Sequence, residues 1–127
     1  MFRDTKAFSG FSIDDVDAAR KFYSDTLGLD VEQNDIGLEL KVAGGTGVFA
    51  YGKENHTPAT FTILNFPVTD VSEAVDTLTA KGVVFQHYEG ELGTDERGIF
   101  WGKKREMGPN IAWFTDPAGN ILSVIET

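Results

Sequence analysis

The hexapeptide Phe11-Ser12-Ile13-Asp14-Asp15-Val16 returns in the second half of the chain as Phe66-Pro67-Val68-Thr69-Asp70-Val71, and Ala19 then falls on Ala74. Each copy reads as an apolar strand running into an aspartate N-cap and an amphipathic helix. After the first cap, Val16, Ala19, Phe22, Tyr23 and Leu27 recur at helical spacing until Gly28 stops the helix. After the second, Val71, Ala74, Val75 and Leu78 do the same until Gly82. A chain that makes this strand-to-helix corner twice is restricted to two like units, short of the three or more that a solenoid needs.

The stretches after each helix complete the units. In the first, strands are predicted over 30–33, 37–42 and 47–51, with Gly44-Gly45-Thr46-Gly47 as a hairpin turn and His56-Thr57-Pro58 as a linker whose histidine is solvated. In the second, a strand over 61–68 precedes the helix, and strands over 83–88 and 99–101 follow it. The glycine-rich, charged stretch 89–98 is expected to be a mobile loop. A hairpin over 110–126 closes the chain. Its turn, Asp116-Pro117-Ala118-Gly119-Asn120, uses Pro117 to preset φ and Gly119 or Asn120 to take the left-handed conformation. Strand alternation then puts Leu122 and Val124 on one face, with Ile121, Ser123 and Ile125 on the other. The expected fold class is α+β, two βαβββ modules of about 1–57 and 58–127 within a single domain. Alone, each half-sheet leaves an apolar face exposed, so the modules are expected to close around a shared cavity.

Composition narrows the function. At 127 residues the chain is one domain's length, enough to bury roughly two-thirds of its unfolded surface. No apolar run approaches the ~20 residues of a membrane span, and the charged start of the chain does not read as a signal peptide. Cysteine is absent, which excludes disulfides, thiolate nucleophiles and Cys-ligated zinc and fits a cytoplasmic protein. The net charge of −9 argues against a nucleic-acid partner and favours attraction of a cationic ligand. The basic cluster Lys103-Lys104-Arg105, followed by Glu106, reads as a solvated loop or strand end.

The run over 15–29, its echo over 70–82 and the segment Phe114-Thr115-Asp116-Pro117-Ala118-Gly119-Asn120-Ile121-Leu122 together resemble the vicinal oxygen chelate superfamily. That group includes glyoxalase I, bleomycin-resistance proteins and extradiol dioxygenases. The resemblance implies that the paired modules form a curved half-barrel and that two chains pair as a homodimer to complete the cavities. It also implies places for a divalent metal, held in the metalloenzymes by His, Glu or Gln on the inner strands. Phe8 stands at the first of these places, Ile63 at its repeat and Ser123 in place of the usual glutamate. The fourth falls among Val48, Phe49, Ala50 and Tyr51, whose register the sequence leaves open. Phe and Ile carry no lone pairs, so no metal and no cofactor is expected.

If those places still face inward, their strand neighbours line the cavity. The candidate ligand-binding residues are Phe8, Ser12, Tyr51, Phe61, Ile63, Asn65, His87, Trp101, Trp113 and Ser123, a largely aromatic surface with a few hydrogen-bonding groups. Glu39 and Lys41 alternate with Leu38 and Leu40 as on a half-exposed strand. The expected function is metal-independent binding of a hydrophobic or aromatic small molecule, as in bleomycin-resistance members. The alternative is a lyase, isomerase or dioxygenase-like enzyme, with or without a metal, using His87, Tyr51 or Glu39 as acid or base.

Overall fold

Asp15 and Asp70 make the same corner. In the computed structural model, which describes residues 1–127, both aspartates are extended, with φ of −137° and −143°. The Asp15 carboxylate accepts from the Ala18 N–H at 3.1 Å and that of Asp70 from the Glu73 N–H at 3.1 Å. Each thereby satisfies a backbone donor that the first helical turn leaves over. Helix α1 spans Val16–Lys21 and α2 spans Val71–Ala80. Left-handed glycines follow both, Gly28 at φ +74° and Gly82 at φ +93°, where a side chain would strain the backbone. The predicted first helix does not run unbroken to Gly28. Residues Phe22–Thr26 form a π-helical turn in which the Leu27 N–H reaches the Phe22 carbonyl at 3.0 Å. Tyr23 in this turn is fully buried, 5.9 Å from the Phe11 ring.

The chain divides into two compact units, Met1–Pro58 and Ala59–Thr127, each built as β-α-β-β-β. The first holds β1 (Ser9–Ile13), β2 (Asp30–Gln33), β3 (Gly37–Lys41) and β4 (Val48–Gly52), arranged β1-β4-β3-β2. The second holds β5 (Thr62–Val68), β6 (Ile99–Trp101), β7 (Asn110–Thr115) and β8 (Ile121–Glu126), arranged β5-β8-β7-β6. Both sheets are open. In both, the strand before the helix pairs in parallel with the last strand of its unit, and the remaining pairs are antiparallel. Pro67 can sit in β5 because that strand is an edge and its missing N–H costs no ladder bond.

One face of each sheet packs against its helix and the other is open. In the first unit Phe11, Ile13, Leu38, Leu40 and Ala50 are buried with Ala19 and Tyr23. In the second, Leu122, Val124, Ala112, Phe114 and Ile99 are buried with Val71 and Val75. Each large side chain fully removed from water contributes about 1.5–3 kcal/mol, which is what holds each helix to its sheet. No helix is long and apolar enough to cross a membrane.

The strand expected over 83–88 does not form. Phe85 makes one isolated bridge to Phe114, and the Gln86 N–H donates to the Trp113 carbonyl at 2.8 Å. β6 pairs with Asn110–Ala112 on that edge of β7, and 83–88 adds one bridge beyond it rather than a ladder. The charged stretch after it is tied down at several points. Asp95 accepts from the backbone of Arg97 and Ile99, each at 2.9 Å, and from Trp101 Nε1 at 2.8 Å. Arg97 bridges Asp76 at 3.0 Å and donates to the Ser72 carbonyl and hydroxyl on α2.

Glu126, at the end of β8, anchors the same helix. Its carboxylate accepts from the Val71 N–H at 2.9 Å, from Asn110 Nδ2 at 3.1 Å and from Lys103 Nζ at 3.5 Å. The Val71 bond, followed by those from Asn110 and Lys103, holds its pKa below the ordinary value despite an opposing push from burial. Folding therefore lowers this pKa. The stabilisation is whole above the ordinary glutamate range, about 4.3, and is lost as pH falls through the lower folded value. Glu126→Gln is expected to cost about 1–2 kcal/mol at neutral pH. Acid denaturation curves of wild type and variant should converge as pH falls through the lowered value of the folded state.

Candidate functional site

The open face of the first sheet gathers residues that strand alternation separates from the core. Gly10 pairs with Phe49 and Ser12 with Tyr51, so all four side-chain positions lie on this face, opposite Phe11 and Ala50. The Phe49 and Tyr51 rings stack at 6.3 Å with planes 21° apart. Phe8, just before β1, is 68% exposed. With Ile36, Val48, Phe49, Asn34, Glu39, Thr46 and Gly47 it lines a hollow of about 480 Å³. Beside Tyr51, the Ser12 hydroxyl lies 2.6 Å from His56 Nδ1. The linker histidine read as solvated is therefore half-buried and bonded back to β1.

On the second sheet, Asn65 pairs with Ser123, which pairs in turn with Trp113. Ser123 is fully buried, and its hydroxyl donates to Asn65 Oδ1 at 2.5 Å. Tyr88 meets the Trp113 ring edge-on at 5.5 Å, with Phe100 at 6.4 Å behind it. Phe61, Tyr88, Leu92, Trp113 and Ile121 line a hollow of about 360 Å³ with Thr60, Thr62 and Glu89. Ile63 is the bulged residue between Thr62 and Leu64, with no partner in register. The alternation that sets Asn65 and Pro67 on this face therefore cannot be carried back through it to Phe61.

Two nominated residues go elsewhere. Trp101 pairs with Asn110, so it alternates away from Phe100 and Trp113. Its indole N–H is held by Asp95, and Lys104 lies over its ring at 5.6 Å. His87 lines a separate hollow against α2, with Val75, Asp76, Thr79 and Arg97. The basic cluster is engaged as well as exposed. Arg105 lies over Phe100 at 5.2 Å and donates to the Glu91 carbonyl, while Lys103 pairs with Glu126. Phe49, Tyr88 and Ile36 were missed because pairing register and loop path, rather than local pattern, bring them to the hollows.

The profile of the Glyoxalase/Bleomycin resistance protein/Dioxygenase superfamily matches residues 10–124. The chain belongs to this superfamily. Solved structures of other members have the same fold. A superfamily member from Sphaerobacter thermophilus is 21% identical over 100% of both chains, with a TM-score of 0.69. TnmS3, described as an antibiotic binding protein from Streptomyces sp. CB03234, is 19% identical with a TM-score of 0.65, covering 99% of this chain and 98% of its own. Lactoylglutathione lyase from Agrobacterium tumefaciens is 22% identical with a TM-score of 0.63, covering 97% of this chain and 93% of its own. No curated protein matches the chain by sequence. The superfamily thus includes binding proteins and enzymes on one scaffold, and function must be argued from the site.

The register supplies the fourth place at which metal-dependent members of the superfamily carry a donor. Gly10 and Asn65 are equally distant from their helix caps, Asp15 and Asp70. Gly10 pairs with Phe49 as Asn65 pairs with Ser123, so Phe49 repeats Ser123 in the first unit. The four places are then Phe8, Phe49, Ile63 and Ser123. Three carry only carbon, and the hydroxyl of the fourth is donated to Asn65. No three His, Cys, Asp or Glu side chains cluster so as to hold a metal ion elsewhere. This donor set does not fit a divalent cation, which needs several lone pairs to replace its water.

Proposed function

We propose that the chain binds a hydrophobic or aromatic small molecule on its open sheet faces without a metal. The observation that carries this reading is the composition of the four donor places, Phe8, Phe49, Ile63 and Ser123, beside hollows walled by Phe8, Phe49, Phe61, Tyr88 and Trp113. Aromatic walls with few dipoles hold a ligand by contact area and exclude water from it. That an antibiotic binding protein shares this fold supports the reading. A ligand that prefers the native chain must raise its melting temperature, by the equivalent of about 2.7 kcal/mol at a hundredfold excess over Kd. A melting screen of aromatic metabolites and antibiotics, run on EDTA-treated protein, is expected to give hits. In Trp101→Phe the hits should quench Trp113, now the sole tryptophan. Hits that appear only after a divalent metal is added back would refute metal independence.

The Ser12–His56 contact supports a second reading, a metal-free acid–base step on a bound ligand. A hydroxyl and an imidazole in hydrogen-bond contact can pass a proton between them. Chromatography of each hit after incubation with wild type and His56→Gln tests it, with turnover expected only in wild type.

A further inference from the structure

Glu39 is the single charged side chain lining the hollow of the first unit. Strand alternation sets it on the open face, directly opposite Glu32 on β2 and Phe49 on β4. Like charges facing each other across a strand pair repel. Lys41 closes on Glu32 at 3.0 Å and attracts Glu39 only weakly from beyond ion-pair distance, so no direct ion pair holds Glu39 itself. The Glu39 carboxylate folds over Gly47 instead, where Oε1 lies 3.4 Å from the point a Cβ would occupy. It therefore sits at the wall of an apolar recess whose other sides are Phe8, Ile36, Val48 and Phe49.

One carboxylate among carbon walls selects a particular cation. A divalent metal ion would have to shed water for one carboxylate and at most the Thr46 hydroxyl, since the Asn34 carbonyl oxygen already accepts from the Ile36 and Gly37 N–H groups at 2.8 and 3.0 Å. An ammonium group carried on an aromatic body has no such difficulty. Its charge meets Glu39, its remaining N–H groups stay in water, and its ring lies against Phe8 and Phe49. We infer that the hollow of the first unit takes an aromatic ligand bearing a protonated amine, with Glu39 as its counter-charge. This rests on the aromatic-binding reading above and narrows it to a charge class. The net charge of −9 assists approach of such a ligand but is not local to the hollow.

A matched probe pair tests the assignment. 1-Naphthylmethylamine and 1-naphthylmethanol share a ring and differ in charge at neutral pH, and both are followed by naphthalene fluorescence. At about 10 mM salt the amine is expected to bind wild type about tenfold tighter than the alcohol, and this margin shrinks as salt screens it. E39Q should bring the two probes within about twofold of each other, and E32Q, next to it on the same face, should leave the margin intact. These comparisons are made in a Trp113→Ala background, which removes the main wall of the second unit's hollow. There F49A should weaken both probes alike, which places them in the hollow of the first unit. All these positions are exposed or half-exposed, and unchanged melting temperatures verify folding. Equal binding of both probes to wild type, or equal effects of E39Q and E32Q, would overturn the role of Glu39 and leave aromatic binding standing. Binding of neither probe to wild type would overturn this inference together with the reading beneath it.

Discussion

Asp116→Ala is expected to lower the melting temperature by roughly 10–15 °C. Asp116 is 4% exposed and organises the final turn from inside. Its Oδ1 accepts from the Ala118 N–H at 3.0 Å and the Asn120 N–H at 2.9 Å, and its Oδ2 from Asn120 Nδ2 at 3.1 Å. Asn120 is itself 2% exposed and accepts from the Ala59 N–H at 3.3 Å, so the turn also fixes the start of the second unit. Alanine would strand these buried donors away from water, at about 1–3 kcal/mol for each unsatisfied group. A total near 3 kcal/mol corresponds to that fall in melting temperature for a chain of this size. Calorimetry checks it, and a change below about 1 kcal/mol would mean that the turn reorganises around the lost carboxylate.

Trp113→Ala is expected to weaken binding of 1-naphthylmethanol in the hollow of the second unit by about thirtyfold, or ~2 kcal/mol. The indole stands mid-strand on β7 between Ser123, Tyr88 and Phe100, half-buried, with one side turned to the hollow. Its removal deletes the largest flat wall there and leaves Tyr88 without its edge-on partner. Double substitution with Phe49→Ala isolates this hollow from that of the first unit. Trp101→Phe serves as control, because that ring is turned to the other face and held by Asp95 and Lys104. If Trp101→Phe weakened the probe and Trp113→Ala did not, the site would lie on the helix side of the sheet.

Much of the scaffold is legible in the sequence. The paired aspartate caps, the helix-ending glycines and the Asp-Pro-Ala-Gly-Asn turn are local signals, each setting backbone angles within a few residues of itself. They place two βαβββ units and the alternation of Phe8, Gly10 and Ser12 against Phe11 and Ile13. Errors arose where the deciding partner is distant in sequence. The run over 83–88 alternates like a strand, yet only Phe85 bridges β7. His56 looks like a linker residue until Ser12 comes within 2.6 Å of it. Trp101 and Trp113 are both β-prone aromatics, and only pairing with Asn110 or with Ser123 separates their faces.

The sequence by itself determined the repeat, the superfamily and the side chains at three of four donor places (carbon at Phe8 and Ile63, a hydroxyl at Ser123), because residue identity and short-range backbone preference suffice for those. Register, the bulge at Ile63 and the recess beside Glu39 were decided only by the tertiary structure. A one-residue slip turns every side chain of a strand to its other face, and long-range pairing selects between the two. Pairing put Phe49 at the fourth place and turned the direct ion pair of Lys41 to Glu32 rather than to Glu39.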